Sequence, residues 1–496
     1  MSEQPNIVLI FPDQFRADCI GRDPHAIRAT NGDPFVETPN LNHLADTGVQ
    51  FTSAYSPAPT CVPARRSLWR GKEPASLGGT TWGSPWDWET SLPAELSAAG
   101  YRTHLVGKTH SEPDRKRFGF EQWDLHPATS KWDHTPSLED DYTRWLQRKE
   151  PDVTEISHGL SRNTIDGRMW HLDEQLHPTH WTTSRAVEFL DNRDETRPFF
   201  LTIGYHRPHQ PWDPPEPYFD MYADRHIPDP VVGDWFDDVY GDIEPSYITS
   251  ETRGETPNPW CAKLSADRVR RSRAAYFGLV TQIDHQLRRV TKTLEMNDLT
   301  QNTVILMASD HGEMLGDHHL WFKSYGYEQS ARIPFILRVP EGVHPAGGSG
   351  ASIDQPVGLE DVMPTLLDLA DIEIPDDVDG RSVIPLMEDP DRSEWRPYYH
   401  GEHHANYHPD SAMQFLTDGT TKYIWNPVTG TELLFDLGDD PRETTNLAGE
   451  SAHSAALETW RERLIERLEG RPEGFTDGEQ LLAGGADFEA SAGGDG

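Results

Sequence analysis

Short, continuously apolar runs alternate with longer amphipathic stretches up to about residue 385. Ile7-Val8-Leu9-Ile10-Phe11, led in by Asn6, has no polar position on either face. Such a run suits a strand covered on both sides of a parallel sheet, because a strand with one wet face would alternate. Similar runs at 198–205, 303–308 and 333–339, with strand stretches at 101–106 and near 49–54, predict further strands. Between them, 38–46 (Pro39 in its first turn), 92–99 (closed by Gly100), 182–192, 268–296 and 360–370 read as helices. In the longest, Phe277, Val280, Ile283, Leu287 and Val290 recur at helical spacing and mark a core face. The alternation predicts an α/β fold with a mostly parallel central sheet flanked by helices.

After about residue 385 the texture becomes polar and strand-like at 413–416, 421–425 and 432–435, followed by a helical stretch at 455–468. A small C-terminal antiparallel sheet with one helix is expected. The division is then 1–385 for the main unit, 386–469 for the C-terminal subdomain, and 470–496 for an acidic Gly/Ala-rich flexible tail. Two stretches, 111–180 and 211–259, are rich in Trp, His, Asp and Pro without clean periodicity, and read as excursions that shape a pocket.

Charge narrows the partners. Lys and Arg number 44 against 82 Asp and Glu, a net charge of −38. That argues against nucleic acid and anionic membranes, and for a solvated acidic surface of the halophilic kind. Three scattered cysteines, Cys19, Cys61 and Cys261, are too few for a disulfide framework. The first residues carry no basic targeting pattern and no apolar run reaches membrane-spanning length, so a cytoplasmic protein is expected.

Candidate chemistry starts at Cys61-Val62-Pro63-Ala64-Arg65, which follows a Pro-rich loop and opens a short helical stretch closed by Gly71. A helix start favours a thiolate or a bound oxyanion there, although a lone cysteine is commonly just a small buried hydrophobe. Three apolar runs end in ionisable groups: Asp13 after the first, His206 after a middle one, Asp310 and His311 after a late one. Carboxyl ends of strands line the ligand crevice of open α/β sheets, so these groups should converge. Two carboxylates and an imidazole at one edge can hold a divalent cation, Ca²⁺ or Mg²⁺ before zinc. His400, His403, His404 and His408 lack zinc-finger spacing and read as surface or pocket-rim residues. His209, His318 and His319 are open between pocket and structure. Cys19 and Cys261 read as structural thiols, and Trp82, Trp86 and Trp88 as packing before substrate stacking.

Several segments share a wider pattern: Asn6 to Asp13, Cys61-Val62-Pro63-Ala64-Arg65, Gly107-Lys108-Thr109-His110, Gly204-Tyr205-His206-Arg207-Pro208-His209, Ser309-Asp310-His311-Gly312-Glu313, Lys323, and the run from Leu434 to Ala448. In this order they make the chain resemble the sulfatase family of the alkaline phosphatase superfamily. The resemblance implies an alkaline phosphatase-like fold and a sulfuric ester hydrolase. It implies oxidation of Cys61 to formylglycine by a formylglycine-generating maturation enzyme, and one divalent cation (Ca²⁺ first, then Mg²⁺ or Mn²⁺) on Asp13, Gln14, Cys61, Asp310 and His311. It also implies that the aldehyde hydrate attacks sulfur, that His206 with Lys323 neutralises the departing oxygen, and that His110 deprotonates the second hydroxyl to release sulfate. Arg65 and Lys108 would hold the formylglycine and the sulfate oxygens. The substrate would be a small-molecule or saccharide sulfate ester. One departure stands out: many relatives have two aspartates after the first strand, and this chain has Asp13-Gln14, a pair similar to that of phosphonate monoester and phosphodiester hydrolases. A catalytically silent anion or sulfated-glycan binder with unconverted Cys61 is the alternative from another class.

The acidic balance makes a prediction of its own. Screening relieves self-repulsion, so the melting temperature should climb between low salt and molar KCl; calorimetry showing no change would count against salt adaptation.

Overall fold

The computed structural model describes residues 4–79, 90–111, 115–126, 140–160, 163–241, 260–344, 350–390, 392–404 and 412–484. Trp82, Trp86, Trp88 and His408 lie outside them. The strands are β1 (Asn6–Ile10), β2 (Val49–Phe51), β3 (Ala54–Tyr55), β4 (Arg102–Gly107), β5 (Gln122–Leu125), β6 (Phe199–Gly204) and β7 (Thr303–Ala308). They continue with β8 (Phe335–Arg338), β9 (Ala351–Ile353), β10 (Val357–Gly358), β11 (Tyr399–His403), β12 (Met413–Thr417), β13 (Thr421–Trp425) and β14 (Glu432–Asp436).

Among the described residues the central sheet has eight strands in the order β5-β4-β6-β1-β7-β8-β2-β9. Only β8 runs against its neighbours, β7 and β2; the other pairings are parallel. β1 sits inside it, Ile7 opposite both Phe200 and Val304. Its apolar run feeds two cores at once. Val8 and Ile10 join Leu201, Ile203 and Met307 under the Ala266–Met296 helix, which contributes the expected Phe277, Val280, Ile283, Leu287 and Val290. Ile7 and Leu9 join Phe200, Val304 and Leu306 beneath Leu68, Leu96, Val362 and Leu366 from helices on the other face. The three-layer fold follows from strands with no polar face to leave in water.

A second sheet, β11-β12-β13-β14, is antiparallel throughout. Trp425 and Leu434 pack on Trp460, Leu464 and Leu468 of the Ser454–Leu468 helix. Phe475 joins that cluster with its ring against Trp425, so residues just past 470 are packed, which composition alone did not reveal. β11 was also not expected; Tyr-His-Gly-Glu-His carries little apolar signal, and pairing with β12 holds it. The stretches read as irregular contain the Asp141–Lys149, Glu216–Ala223 and Phe236–Tyr240 helices, and the helix expected at 182–192 starts earlier, at Pro178. Asp140 caps the first, whose Tyr142 and Leu146 face inward. No helix among the described residues is long and apolar enough to cross a membrane.

His403 and His404 are not at the surface: they are buried where the end of β11 meets the loop before Cys61, with Glu402 N donating to Pro57 O at 2.9 Å. His400, half-buried, lies 2.8 Å from Gln414 Oε1 through Nε2. His318 and His319 are structural too. His318 Nδ1 accepts from Gly233 N at 3.0 Å with its ring against Trp235, and His319 packs edge-on to Phe236.

The two sheets are tied by buried charge. Lys422 of β13 reaches Glu328 at 2.5 Å and Glu443 at 3.3 Å, and Glu443 Oε2 accepts from Glu328 N at 2.7 Å. Burial pushes Glu443 up to about 7 despite Lys422, with Glu328 adding to the rise. Burial would raise Glu328 as well, but Lys422 and Arg332 hold it low. An unfolded Glu loses its proton near about 4.3, so between there and about 7 the folded state carries the extra proton and stability falls as pH rises. Glu443→Gln removes that dependence. The melting temperature of the wild type relative to this variant should drop from about pH 5 to about pH 8; parallel curves would show that Glu443 is ionised throughout.

Candidate active site

Four parallel strands, β4, β6, β1 and β7, release their chains at the same edge of the sheet, and the Cys61–Arg70 helix starts beside them. β1 runs on to Asp13 and Gln14, β7 to Ser309, Asp310 and His311, β4 to Lys108, Thr109 and His110, and β6 to His206 through His209. Gly107 must be glycine here: its φ is +98°, and a Cβ would lie 2.0 Å from Gly204 O on the neighbouring strand. Gly312 has the same restriction, with Gln329 O 2.1 Å from any added Cβ. Left-handed backbone at non-glycine residues also gathers here, at Gln14 (φ 65°), His110 (55°), Phe322 (66°) and Ser324 (80°).

Helical spacing puts Arg65 one turn below Cys61 on the same face. Arg65 Nη2 pairs with Asp13 Oδ2 at 2.8 Å and Nε with Asp310 Oδ2 at 3.0 Å, while Lys108 Nζ pairs with Asp13 Oδ2 at 2.5 Å. Arg65 also lies over the Phe11 ring, 4.9 Å from its centroid. The cations thus take Oδ2 of each carboxylate. Asp13 Oδ1 lies 3.9 Å from Cys61 Sγ, and Asp310 Oδ1 accepts from the backbone N–H of Gln14 and His311 at 3.0 and 3.1 Å.

Cys61 Sγ sits at the centre, fully buried, with Lys323 Nζ at 3.0 Å and His311 Nε2 at 3.2 Å. His311 Nδ1 donates to Gly312 O at 2.8 Å, which leaves Nε2 as the ligating nitrogen. Gln14 Oε1 accepts from Lys323 Nζ at 2.9 Å. Glu313 fixes that orientation: its Oε2 receives Gln14 Nε2 in a short hydrogen bond and Gln210 Nε2 at 3.2 Å, so the Gln14 amide can turn only its oxygen inward. The sequence pattern gives Glu313 no role, because orienting a neighbour's amide leaves no trace in spacing.

One ligand atom each from Asp13, Cys61, Asp310 and His311 lies within 4.8 Å of the others, and all four residues are buried. Buried carboxylates gathered this closely suit a cation, and the Gln14 oxygen extends an oxygen-rich donor set appropriate to Ca²⁺ or Mg²⁺. Burial would raise Asp13, but Lys108, His209, Arg65 and Lys323 hold its carboxyl well below the usual range. Burial and Asp13 would raise the Cys61 thiol; Lys323, Lys108 and His311 outweigh them and lower it. His110 is held well below an ordinary histidine by burial and by Lys108, so it is a neutral base.

The two histidines after β6 differ. Burial lowers His209 strongly, and its charged surroundings are the site itself: Lys323, Lys108 and Asp13. Its Nδ1 donates to Gln210 O at 2.9 Å, leaving Nε2 to take or give a proton. His206 Nδ1 instead faces Arg207 Nη1 at 2.7 Å. A guanidinium only donates, so His206 cannot carry the second proton that an acid at the departing oxygen needs. The resemblance puts His206 with Lys323 at the departing oxygen; the Arg207 contact leaves its one ring proton on Nε2, whereas His209 has its Nδ1 proton on Gln210 O and lies close to Lys323 and Lys108. The strand-end argument reached both histidines but could not rank them, since which ring faces inward depends on partners from other loops. Cys19 and Cys261 are buried away from this cluster, as expected of structural thiols.

With the geometry set out, comparison with known proteins is direct. The family profile described as Sulfatase matches residues 5–372, and the profile N-sulphoglucosamine sulphohydrolase, C-terminal matches residues 316–470. The chain belongs to the sulfatase family, and its enzyme class is sulfuric ester hydrolase. It is 40% identical over 494 residues to an arylsulfatase of Clostridium perfringens (strain 13 / Type A), covering 97% of this chain and 98% of the relative. It is 30% identical over 515 residues to the multifunctional alkaline phosphatase superfamily protein PehA of Trinickia caryophylli, covering 95% and 98%. The fold matches the crystal structure of a phosphonate monoester hydrolase of Agrobacterium radiobacter with a TM-score of 0.75 at 24% identity, over 93% and 95% of the two chains.

The donor set makes a prediction that needs no substrate. Asp310→Asn should weaken Ca²⁺ or Mg²⁺ binding at least about tenfold by isothermal titration calorimetry, and Glu313→Ala should weaken it about tenfold or more through the released Gln14 amide. Titrations indistinguishable from wild type would remove these residues from the cation site.

Proposed function

We propose that Cys61 is converted to formylglycine by a formylglycine-generating enzyme, that a divalent cation, Ca²⁺ before Mg²⁺ or Mn²⁺, is held by Asp13, Gln14, Asp310 and His311, and that the mature enzyme cleaves sulfate monoesters of small-molecule or saccharide alcohols, aryl sulfates among them. The observation that carries this reading is Cys61 Sγ buried among two carboxylates, an imidazole and an ammonium, on a helix whose Arg65 grips both carboxylates. The 40% identity to an arylsulfatase supports the substrate class. Buried cysteines joined by no disulfide and the acidic composition support a cytoplasmic setting rich in salt.

The aldehyde hydrate supplies a nucleophilic oxygen, and the cation, when bound, makes that oxygen acidic enough to react near neutral pH and draws off charge from the sulfate. Residues of this chain do the rest. Arg65 and Lys108 bring positive charge to the floor of the site, where sulfate oxygens gain charge-assisted hydrogen bonds. Lys323 stands 3.0 Å from the Cys61 position and offers a proton to the oxygen that leaves, with the His209 ring close by. His110, kept neutral, accepts the proton whose departure frees sulfate and restores the aldehyde. A silent binder has no use for this paired donor and acceptor.

Phosphonate monoesters and phosphodiesters form a second substrate class. Gln14 favours it, since an amide replaces the second carboxylate and leaves the site one negative charge fewer. Mass spectrometry of the Cys61 peptide should show the aldehyde. Paired assays with an aryl sulfate and an aryl phosphonate should show faster sulfate turnover, and Cys61→Ala should abolish it with the fold and cation site retained. Unmodified cysteine in natively produced protein with no turnover of any sulfate ester would falsify the proposal.

A further inference from the structure

Behind the pocket lies a set of buried charges with no part in the chemistry above. Arg207 is fully buried. Its Nε and Nη2 donate to Asp213 Oδ1 and Oδ2 at 2.7 and 2.8 Å, Nη2 also donates to Glu155 Oε1 at 2.9 Å, and Nη1 meets His206 Nδ1 at 2.7 Å. The carboxylates are anchored in turn. His126 Nε2 lies 3.1 Å from Glu155 Oε2, and Asp213 is met by His158 Nε2 at 3.1 Å and His177 Nε2 at 3.7 Å. A guanidinium held by two carboxylates stays put and stays charged.

The consequence for His206 follows from donor counting. Nδ1 must offer its lone pair to Arg207, so the single ring proton resides on Nε2. Nε2 makes no hydrogen bond among the described residues, while the ring stands beside His209 and His126 at centroid distances of 5.1 and 5.2 Å. A second proton would set N–H against N–H at the Arg207 contact. Burial and the ammonium of Lys108 at the end of β4 further disfavour a charged ring, and the His209 and His126 rings fill its other sides.

We propose that Arg207, braced by Asp213 and Glu155, is a positioning residue that locks His206 as a neutral imidazole whose Nε2–H donates to an oxygen of the bound ester, so that His206 binds the ester without transferring a proton. The identity of that oxygen rests on the sulfate-ester reading; the state of the ring does not. The loop from His206 to His209 then divides two tasks between imidazoles of opposite tautomer. Arg207 gives His206 a fixed N–H toward the pocket, and the Gln210 carbonyl gives His209 a free Nε2 that can gain and lose a proton. A neutral donor suits a pocket already holding Arg65, Lys108 and Lys323. It satisfies an ester oxygen without adding charge that would bind sulfate product as strongly as the transition state.

The ring state is tested by ¹⁵N NMR of the full chain with labelled histidine, His206 being assigned through its loss in His206→Gln. The expected result is a proton on Nε2 alone and no titration between about pH 5.5 and about pH 8.5, with titration appearing in Arg207→Met. A wild-type ring that carries a proton on Nδ1, or gains a second one in this range, overturns the proposal, and this arm stands whatever ester the enzyme turns over and even if Arg207→Met does not fold. The donor role is tested on the ester that the wild type hydrolyses. His206→Ala should lower kcat/KM about 100-fold, and His206→Gln, whose amide can donate but cannot act as an acid, should recover about tenfold or more of that loss. Equal losses in the two variants overturn the donor role. Arg207→Met should lower kcat/KM about tenfold or more and add an acid limb to its pH profile, whereas Arg207→Lys, still a pure donor, should keep the wild-type profile shape; an Arg207→Met profile identical in shape to wild type overturns the positioning role.

Discussion

Arg65 bridging Asp13 and Asp310 is the contact on which the rest of the site depends. The two aspartates come from strands almost 300 residues apart in sequence, paired side by side as β1 and β7. Their carboxylates would repel each other in a buried space without a cation between them. Arg65 supplies it, in fork geometry, from the helix that also presents Cys61, so the Cys61 sulfur and the carboxylates are placed by one side chain. Taking that guanidinium away would leave buried charge uncompensated, at a cost on the order of 3–5 kcal/mol. That is a large share of the roughly 5–15 kcal/mol by which folded domains are stable.

From this contact the polar groups are arranged in shells. Lys108 shares Asp13 with Arg65; Lys323 touches both the Cys61 sulfur and the Gln14 amide; Glu313 turns that amide. Behind β6, Arg207 and its two carboxylates do for His206 what Glu313 does for Gln14. The Gln14 amide owes its orientation to Glu313, and the His206 ring its proton placement to Arg207. The backbone strain at Gln14, His110, Phe322 and Ser324 lies in the same inner layer, held by packing on all sides.

Much of this was legible in the residues. β1, β6 and β7 are almost wholly apolar because helices cover both faces, and the long helix carries a clear stripe, so the sheet and its edge could be read from the chain. Asp13, Cys61, Asp310 and His311 followed from that edge and from the family resemblance. What could not be read depends on contacts between distant loops. The reversal of β8, the pairing of β11 and the packing of Phe475 are set by partners, not by local pattern. The ranking of His206 against His209 turned on one guanidinium, and the role of Glu313 on one amide. The His400, His403 and His404 group looked like a surface feature only because polar residues in an edge strand give no sign of what covers them.

The strand order has a kinetic side. β1 cannot take its place until both β6 and β7 exist, and β7 ends about 250 residues after Cys61. At about 5–20 residues per second a ribosome needs roughly 10–50 s to make that length. Throughout it the Cys61 thiol, sealed in the finished molecule, stays within reach of any modifying enzyme. The long-range pairing that makes such a sheet slow to assemble therefore sets a timed window in which Cys61 is open to solvent before the sheet closes over it.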